Sequence, residues 1–255
     1  MSGVLVVTGG SSGIGLAVAQ RAARTGVSIS LDLVPPPTGS PVHHIHCDVR
    51  DENSVSDAAR TVSGRFGCLN GLLINAGVLE QPADVARLRV GAWRDVLDTN
   101  LTGAFLTAKH FVDDLRASRG AMVLTASIVA ERGSPGHLAY AAAKAGVVAL
   151  TRSLAVALAR DGVRVNAISP GSVVGTKLLG HSLSTADLVG LAATIPARRP
   201  ATPTDIARAV EFLLSPAAVH ITGEVLTVDG GERYARPGAA RQHNEEVDDA
   251  GGGTR

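Results

Sequence analysis

The sequence predicts an α/β protein, and two observations support this class. Residues 4–32 read as a short apolar strand, a glycine-rich turn, a helix and a second strand. Later strand-length apolar runs, such as residues 121–126, alternate with segments whose apolar residues recur at helical spacing, such as residues 51–66. Strands that alternate with helices in this way are typical of α/β proteins.

Length and composition limit the remaining classes. The chain has 255 residues, of which 45% are hydrophobic, so it can bury a large core as one α/β domain or two small ones. A net charge of +1 gives no indication of nucleic acid as a partner. Cys47 and Cys68 stand in unrelated contexts, which favours a reduced compartment. No apolar run approaches a membrane span, and the N-terminus reads as a strand and not a signal peptide. We therefore expect a cytoplasmic protein without a membrane partner.

The first predicted unit suits the binding of phosphates. Residues 4–7 form the strand, residues 16–25 are helix-like, and the glycine-rich turn lies between them. Glycines let the backbone approach a pyrophosphate, and a helix start supplies free N–H groups and a positive dipole end. A purely structural turn is the alternative. The residues expected to bind here are Thr8, Gly9, Ser11, Ser12, Gly13, Ile14 and Gly15.

An acid follows this unit at the end of the second strand. Residues 27–31 form that strand and Asp32 ends it. A carboxylate at this point accepts hydrogen bonds from the adenosine ribose of a dinucleotide, whereas a 2′-phosphate there would meet a like charge. Proteins that bind NADP usually place a cation in the turn or after this strand. Serines occupy the turn, and Leu33, Val34 and Pro35 follow Asp32, so the predicted cofactor is NAD.

A second group of polar residues lies in residues 127–144. Tyr140 and Lys144 are four positions apart, so on a helix they share one face. A cation there favours the phenolate form of a group whose free pKa is about 10. Ser127 follows an apolar run and stands at a strand end, where α/β sheets place ligands. The three side chains suit proton transfer to or from an alcohol or carbonyl oxygen. A solvated helix face is the alternative for the tyrosine–lysine pair alone.

The glycine-rich turn together with Ser127, Tyr140 and Lys144 resembles the short-chain dehydrogenase/reductase family, from residue 4 to about residue 231. This resemblance implies one Rossmann-like domain over residues 1–231. Its doubly wound sheet would have about seven parallel strands with helices on both faces. It also implies a nicotinamide cofactor and an alcohol or ketone as the small-molecule substrate. Residues 232–255 are polar and glycine-rich, and we expect a flexible tail; packing on a neighbour is the alternative.

The resemblance extends to the ends of the other strands. Matching residues in the family contact the adenine, the ribose and the nicotinamide carboxamide, and Tyr140 and Lys144 are also expected to touch the cofactor. One departure is Gly175, which stands where the family usually has threonine. Either the loop has one extra residue or Thr176 does not take the usual contact. The cofactor contacts implied here are Asp48, Val49, Asn75, Ala76, Gly77, Pro170, Gly171, Val173 and Thr176.

Residues 93–118 are predicted to form one long helix, which contains Asn100. Asparagine is a poor helix-interior residue. In the family, the matching asparagine holds a bend and a water that links the catalytic lysine to bulk solvent; an exposed asparagine is the alternative. The same helix and a helix at residues 138–160 form the main dimer contact in the family. A homo-oligomer, dimer or tetramer, is therefore expected.

Three histidines, His43, His44 and His46, lie near a predicted third strand. A metal site is one interpretation, but no carboxylate or cysteine arrangement completes a known ligand spacing. We expect side chains on either face of the strand and no metal.

Residues 176–203 show little periodicity and are predicted to be a lid over the substrate. The apolar residues Leu178, Leu179, Leu183 and Leu188 favour a mostly uncharged substrate body. An acidic substrate would need a cation, and the nearest candidates along the chain are His181 and Arg132.

These patterns together predict an NAD-dependent oxidoreductase of a secondary alcohol or its ketone. Tyr140 exchanges the proton with the substrate oxygen, which Ser127 orients. Lys144 lowers the pKa of Tyr140 and holds the cofactor ribose, and Asn100 supports the proton relay. A 3-oxoacyl thioester reductase and a dihydrodihydroxybenzoate dehydrogenase-like pathway enzyme remain alternatives. A catalytically silent dinucleotide-binding sensor is the alternative from another class, although a sensor does not need all four residues.

Overall fold

The computed structural model describes residues 3–179 and 184–235, and its centre is a parallel sheet. The strand order is β3-β2-β1-β4-β5-β6-β7, and each neighbouring pair is parallel. The predicted seven-stranded doubly wound sheet is therefore confirmed. The described strands are Val4–Thr8 (β1), Val27–Asp32 (β2), His43–His46 (β3), Leu69–Ile74 (β4), Ala121–Thr125 (β5), Arg164–Pro170 (β6) and Val225–Val228 (β7).

Helices cover both faces of this sheet. Residues of α1 and α8 belong to one hydrophobic cluster, and residues of α2, α4 and α6 belong to the cluster on the opposite face. The strands are buried between the two layers, which is why β1 and β5 read as continuous apolar runs. The described α-helices are Gly13–Ala22 (α1), Glu52–Phe66 (α2), Val90–Leu97 (α3), Gly103–Ser118 (α4), Val129–Arg132 (α5), Leu138–Leu158 (α6), Thr185–Thr194 (α7) and Pro203–Leu214 (α8).

The predicted long helix at residues 93–118 is interrupted. α3 and α4 are separated by a π-helical turn, Asp98–Thr102, with Asn100 at its centre. The Asn100 side-chain amide donates to the carbonyls of Val96 (3.0 Å) and Val78 (2.8 Å). One of these carbonyls belongs to α3 itself, so the side chain competes with the regular helical bonding pattern there.

The predicted lid contains a helix that its weak periodicity did not reveal. α7 begins at a capping box in which Ser184 and Asp187 satisfy each other's backbone N–H groups. That Ser-x-x-Asp spacing is a sequence signal for a helix start. The lid residues His181 and Leu183 lie outside the described residues.

The boundary of the predicted tail also differs in detail. Glu232–Tyr234 form a 3₁₀ turn that packs on the domain, and Glu232 is only 6% exposed. The rest of the predicted tail, residues 236–255, lies outside the described residues. The described structure therefore continues four residues past the expected domain end at Gly231.

One helical stretch, Leu138–Asp161, is long and apolar enough to cross a membrane by length and composition, with a mean hydropathy of 1.5. The sequence analysis found no apolar run that approaches a membrane span, so this stretch differs from that expectation. Val147, Ala155 and Leu158 of α6 belong to the hydrophobic core beside the sheet. We therefore interpret α6 as a core helix of the domain.

The three histidines lie on or at the ends of the edge strand β3. His44 Nε2 lies 3.1 Å from the Asp32 carbonyl oxygen, and the His43 ring packs against Phe66. Within residues 3–179 and 184–235, no group of three or more histidine, cysteine or acidic side chains is placed to hold a metal ion.

Candidate active site

A cavity of about 530 Å³ opens where the carboxyl ends of the strands meet. The chain runs outward from β1 to β3 and then returns to place β4 beside β1, so a crevice forms at this reversal. The predicted residues that line the cavity are Gly9, Ser12, Gly13, Ile14, Asp32, Asp48, Val49, Asn75, Ala76, Gly77, Ser127, Tyr140, Lys144, Pro170, Gly171, Val173 and Thr176.

Three predicted residues of the first turn lie just behind this lining. The Thr8 hydroxyl accepts from the backbone N–H groups of Asn75 (2.9 Å) and Ala76 (3.1 Å). The Ser11 hydroxyl lies 2.9 Å from that of Ser30. A Cβ on Gly15 would lie 2.1 Å from the carbonyl oxygen of the first turn glycine. These three residues therefore stabilise the glycine-rich turn from the side that faces away from the cavity.

The glycine-rich turn fits a pyrophosphate. Gly9 and Gly13 have φ angles of +65° and +53°, which favour glycine. α1 begins directly in the cavity wall, and its N-cap Ser12 makes no side-chain capping bond with the described residues. The first N–H groups of α1 and its dipole are therefore available to an anion.

Asp32 is fixed at the far end of the cavity. Its Oδ2 accepts from the Ser11 N–H (3.1 Å), and its Oδ1 accepts from the Val34 N–H (3.3 Å). Each oxygen keeps a further lone pair for a ligand. These contacts orient the carboxylate beside the glycine-rich turn, where a dinucleotide would place its adenosine ribose.

Arg50 is a cavity residue that the sequence analysis missed. Its guanidinium donates to both carboxylate oxygens of Asp48, from Nε to Oδ1 (3.0 Å) and from Nη2 to Oδ2 (2.7 Å). The hydrogen bonds from Arg50 lower the pKa of Asp48. Asp48, the predicted adenine contact, is therefore paired with the Arg50 guanidinium. The Asp-x-Arg spacing was the available signal, because the Arg50 N–H also closes a local turn on Asp48.

Ser127, Tyr140 and Lys144 meet in the cavity wall. Ser127 follows β5, and the other two side chains lie on one face of α6. The Lys144 ammonium lies 5.5 Å from the centre of the Tyr140 ring and donates to the Thr125 carbonyl (2.8 Å). The arrangement places a hydroxyl, a phenol and an ammonium in one cavity, as their spacing predicted.

Burial acts on these groups in opposite directions. It raises the pKa of Tyr140 to about 12, against a smaller lowering by a hydrogen bond with Ser127. It lowers the pKa of Lys144 to about 8. We had expected Lys144 to lower the pKa of the phenol. Burial is instead the largest effect on the pKa of Tyr140, and the Lys144 ammonium donates to the Thr125 carbonyl.

Asn100 lies behind the cavity wall. It is 1% exposed, which excludes the surface alternative. Its Oδ1 accepts from the Val78 N–H (3.2 Å) while its amide donates to the Val78 carbonyl. A Cβ on Gly77 would lie 2.4 Å from Asn100 Oδ1 and 3.6 Å from Lys144 Nζ. Asn100 therefore braces the Asn-Ala-Gly turn immediately beside the lysine.

Thr176 lies in the cavity wall despite the shifted spacing. It is 7% exposed, and its hydroxyl donates to the Val173 carbonyl (3.0 Å). A Cβ on Gly13 would lie 3.4 Å from its methyl carbon. The loop after β6 thus brings Thr176 against the glycine-rich turn.

The opposite end of the cavity contains a buried carboxylate that the sequence analysis had assigned to the tail. Glu232 accepts from the Ser172 N–H (2.7 Å), the Ser172 hydroxyl (3.0 Å) and Arg132 Nη2 (3.2 Å). A Cβ on Gly171 would lie 2.6 Å from the Glu232 Oε2. Glu232 therefore connects the loops that follow β5, β6 and β7.

The predicted lid residues divide between two places. Leu178 and Leu179 line the cavity together with Arg132, which was one of the two candidate cations. Leu188 lies on α7, and its side chain is not part of the cavity lining in the described structure.

Comparison with known proteins agrees with this geometry. The family model described as "Enoyl-(Acyl carrier protein) reductase" matches residues 9–232. The chain is 38% identical over 240 residues to cis-4-hydroxycyclohexanecarboxylate dehydrogenase of Sinomonas cyclohexanicum, covering 89% of this chain and 95% of that protein. It is 34% identical over 239 residues to the 3-oxoacyl-[acyl-carrier-protein] reductase FabG of Vibrio cholerae, covering 89% and 96%.

Solved structures show the same fold. The ligand-free aldohexose dehydrogenase of Thermoplasma acidophilum has a TM-score of 0.87 and 29% identity, covering 92% of this chain and 96% of that one. Levodione reductase has a TM-score of 0.84 and 30% identity, covering 92% and 98%. The chain belongs to the short-chain dehydrogenase/reductase family, and it is an oxidoreductase that acts between alcohols and ketones with a nicotinamide cofactor.

Proposed function

We propose that this enzyme is an NAD-dependent oxidoreductase of a compact secondary alcohol and its ketone, with Tyr140 as general acid and base. The observation that carries the proposal is that Ser127, Tyr140 and Lys144 share one cavity with the glycine-rich turn and Asp32. A silent dinucleotide sensor would not need a phenol, a hydroxyl and an ammonium at the end that receives the nicotinamide.

The residues present fit a nicotinamide dinucleotide. The open N-terminus of α1 suits the pyrophosphate, and Asp32 suits the adenosine ribose. Asn75–Gly77 and Lys144 would hold the second ribose, and residues 170–173 would hold the nicotinamide ring. When bound, the cofactor supplies hydride acceptance and donation.

The protein's own part of the chemistry is proton transfer. Ser127 lines the same cavity as the phenol and would orient the substrate oxygen beside it. In alcohol oxidation Tyr140 takes the hydroxyl proton, and in ketone reduction it returns one. Lys144 provides positive charge close to the ring, and Asn100 holds the backbone beside Lys144 in place.

Two observations support a preference for NAD over NADP. Asp32 presents a carboxylate that would repel a 2′-phosphate, and Leu33 and Val34 beyond it are exposed apolar residues. Arg50 is a cation that lines the same cavity, but its guanidinium is bonded to both oxygens of Asp48. Its charge is therefore largely compensated within the protein.

The residues at the substrate end of the cavity favour a substrate with a mostly apolar body and at most one acidic group. Leu178 and Leu179 provide apolar contacts, and Arg132 has further N–H donors beyond its bond to Glu232. The relative named cis-4-hydroxycyclohexanecarboxylate dehydrogenase acts on a ring alcohol with one carboxylate, which supports this class. A 3-oxoacyl thioester reductase is the second candidate, supported by the FabG relatives.

We also propose a cytoplasmic homo-oligomer that associates through α4 and α6. Phe105 on α4 and Val156 on α6 are 49% and 82% exposed, and such apolar exposure favours a partner. Small residues on the outer face of α6, including Ala142, Ala145 and Ala149, would allow close approach of a second helix.

A cofactor and substrate screen tests the proposal. Cyclic secondary alcohols and ketones, each with and without one carboxylate, and an acetoacetyl thioester would be assayed with NAD(H) and NADP(H) by the absorbance of the reduced nicotinamide. We expect turnover of a ring substrate with NAD(H). Faster turnover of the thioester would favour the second candidate. Binding of NADH without turnover of any alcohol or ketone would favour the sensor and contradict the proposal.

A further inference from the structure

Glu80 is a buried acid that the proposed mechanism does not use. It lies after β4, three residues past the Asn-Ala-Gly turn, and is 6% exposed. Its Oε1 accepts from the backbone N–H groups of Ala139 (2.8 Å) and Tyr140 (3.3 Å). Both N–H groups belong to the first turn of α6, where the N-cap His137 makes no side-chain capping bond with described residues. Glu80 thus caps the catalytic helix from 59 positions away in the sequence.

A cap of this kind does not require a charged residue. Serine, threonine and asparagine cap helices well as neutral side chains. The Oε2 of Glu80 is buried and has no hydrogen-bond partner among the described residues. Burying a carboxylate oxygen without a partner is destabilising. The protein therefore keeps an acidic side chain with one unpartnered oxygen immediately beside the backbone of Tyr140.

The segment around Glu80 connects the cofactor turn with the catalytic helix. Asn100 holds both backbone groups of Val78 at one end. At the other end the Ala83 N–H donates to the Gly136 carbonyl (3.1 Å), just before α6. Glu80 lies between these two anchors. A change at Glu80 is therefore transmitted directly to the start of α6.

We propose that Glu80 is a positioning residue that fixes Tyr140 at the start of α6 and holds a negative charge beside it. The proposal rests on the proposed function, in which Tyr140 transfers the proton. The electrostatic effect of Glu80 has a defined direction, because a nearby anion disfavours the phenolate and so raises the pKa of Tyr140. Burial is the largest cause of the raised pKa of Tyr140, the Ser127 hydrogen bond opposes it, and the Glu80 charge raises it further.

Other groups also surround the phenol, and their charges must be kept constant in a test. α3 packs on this region through the apolar residues Trp93, Val96 and Leu97. The acidic, basic and histidine side chains that line the same cavity as Tyr140 in the described structure are Asp32, Asp48, Arg50, Arg132, His137, Lys144, Lys177 and Glu232.

The test is the pH dependence of kcat/KM for alcohol oxidation in Glu80→Gln. The amide oxygen of glutamine can still accept from the two N–H groups, but the charge is gone. Oxidation uses the phenolate, so a lower pKa of Tyr140 moves the acidic limb of the profile to lower pH, by about 0.5 unit or more. Glu211→Gln is the matched control. It removes an acid that pairs with Arg21 between α8 and α1, away from the cavity, and should leave the profile unchanged.

Glu80→Ala removes the same charge and also the cap. It should move the acidic limb in the same direction and lower kcat at least about tenfold, while KM for the cofactor changes little. Either variant alone tests the direction in which the acidic limb moves. If one variant fails to fold, the other still decides the question. An unchanged profile in a folded, active variant would limit Glu80 to a structural cap and overturn the proposal. Full activity of Tyr140→Phe would instead contradict the proposed function itself.

Discussion

At the residue scale, the cavity brings together groups whose charged forms are both disfavoured by burial. The pKa of Tyr140 is raised to about 12 and that of Lys144 is lowered to about 8. Alcohol oxidation requires the phenolate, so its rate should rise as the pH approaches the pKa of the phenol. Groups that add positive charge near the Tyr140 ring lower the pKa of the phenol and so extend activity towards neutral pH. A negative charge on Glu80 has the opposite effect.

Asp32 should decide between the two nicotinamide cofactors. We expect the unmodified enzyme to prefer NAD(H) by at least about tenfold in kcat/KM, equivalent to ~1.4 kcal/mol. Asp32→Ala should reduce this preference, and Leu33→Arg added to it should reduce the preference further. Steady-state kinetics with both cofactors measures the ratio. Asp57→Ala, which removes an exposed acid on α2, is the control and should leave the ratio unchanged.

Equal or better kcat/KM with NADPH in the unmodified enzyme would show that the Asp32 carboxylate does not face the ribose. Activity with NAD should also fall in Asp32→Ala, because the carboxylate holds the Ser11 N–H and so supports the turn.

Sequence alone indicated those residues of the candidate site that belong to local patterns. The glycine-rich turn and the Tyr140–Lys144 pair are defined by short spacings, and the structure places them in one cavity. Glu80 and Glu232 could not be assigned in this way, because their partners lie 59 to 100 positions away. Their roles depend on which loops the sheet brings together.

At the element scale, helix starts are defined by local chemistry that the sequence displays. Thr202 and Asp205 form a capping box at the start of α8, with Pro203 in the first turn. The spacing of these residues is a sequence signal for a helix start. The resemblance predicted a bend held by Asn100, but not the π-helical turn at Asp98–Thr102, because that turn depends on the contact of Asn100 with Val78, across 22 positions.

Thr202→Ala should destabilise the protein by about 1 kcal/mol, because the Asp205 N–H loses its capping acceptor. The free energy of unfolding from chemical denaturation measures this loss. Turnover per folded molecule should stay unchanged, since Thr202 lies outside the cavity lining. No measurable loss of stability would show that water replaces the hydroxyl at this helix start.

At the scale of the whole molecule, the strand order produces the site. Residues after β1, β4, β5 and β6 are far apart in the sequence, but the parallel sheet places their carboxyl ends side by side. The seven-stranded fold could be predicted because buried parallel strands give continuous apolar runs and the motifs resemble a known family. The helix α7 in the lid was missed because the segment has weak periodicity.

The outer faces of α4 and α6 should form a subunit interface. Phe105→Glu with Val156→Glu places charges on two exposed apolar positions and should convert the oligomer to monomers. Size-exclusion chromatography with light scattering measures the mass. Val85→Glu, a 73% exposed position outside both helices, is the control and should keep the mass of the unmodified protein. A monomeric unmodified protein, or an assembly that both substitutions leave intact, would contradict this interface.

The central claim is that Tyr140 transfers the proton in a nicotinamide-dependent oxidation of an alcohol. The most direct test compares kcat of Tyr140→Phe with that of the unmodified enzyme, at saturating NAD⁺ and a ring alcohol, across pH about 6 to 10. The variant removes one hydroxyl, so NADH binding and thermal unfolding should be nearly unchanged. We expect kcat to fall by about 10³-fold or more throughout the range. Retention of most of the turnover at any pH in that range would contradict the account.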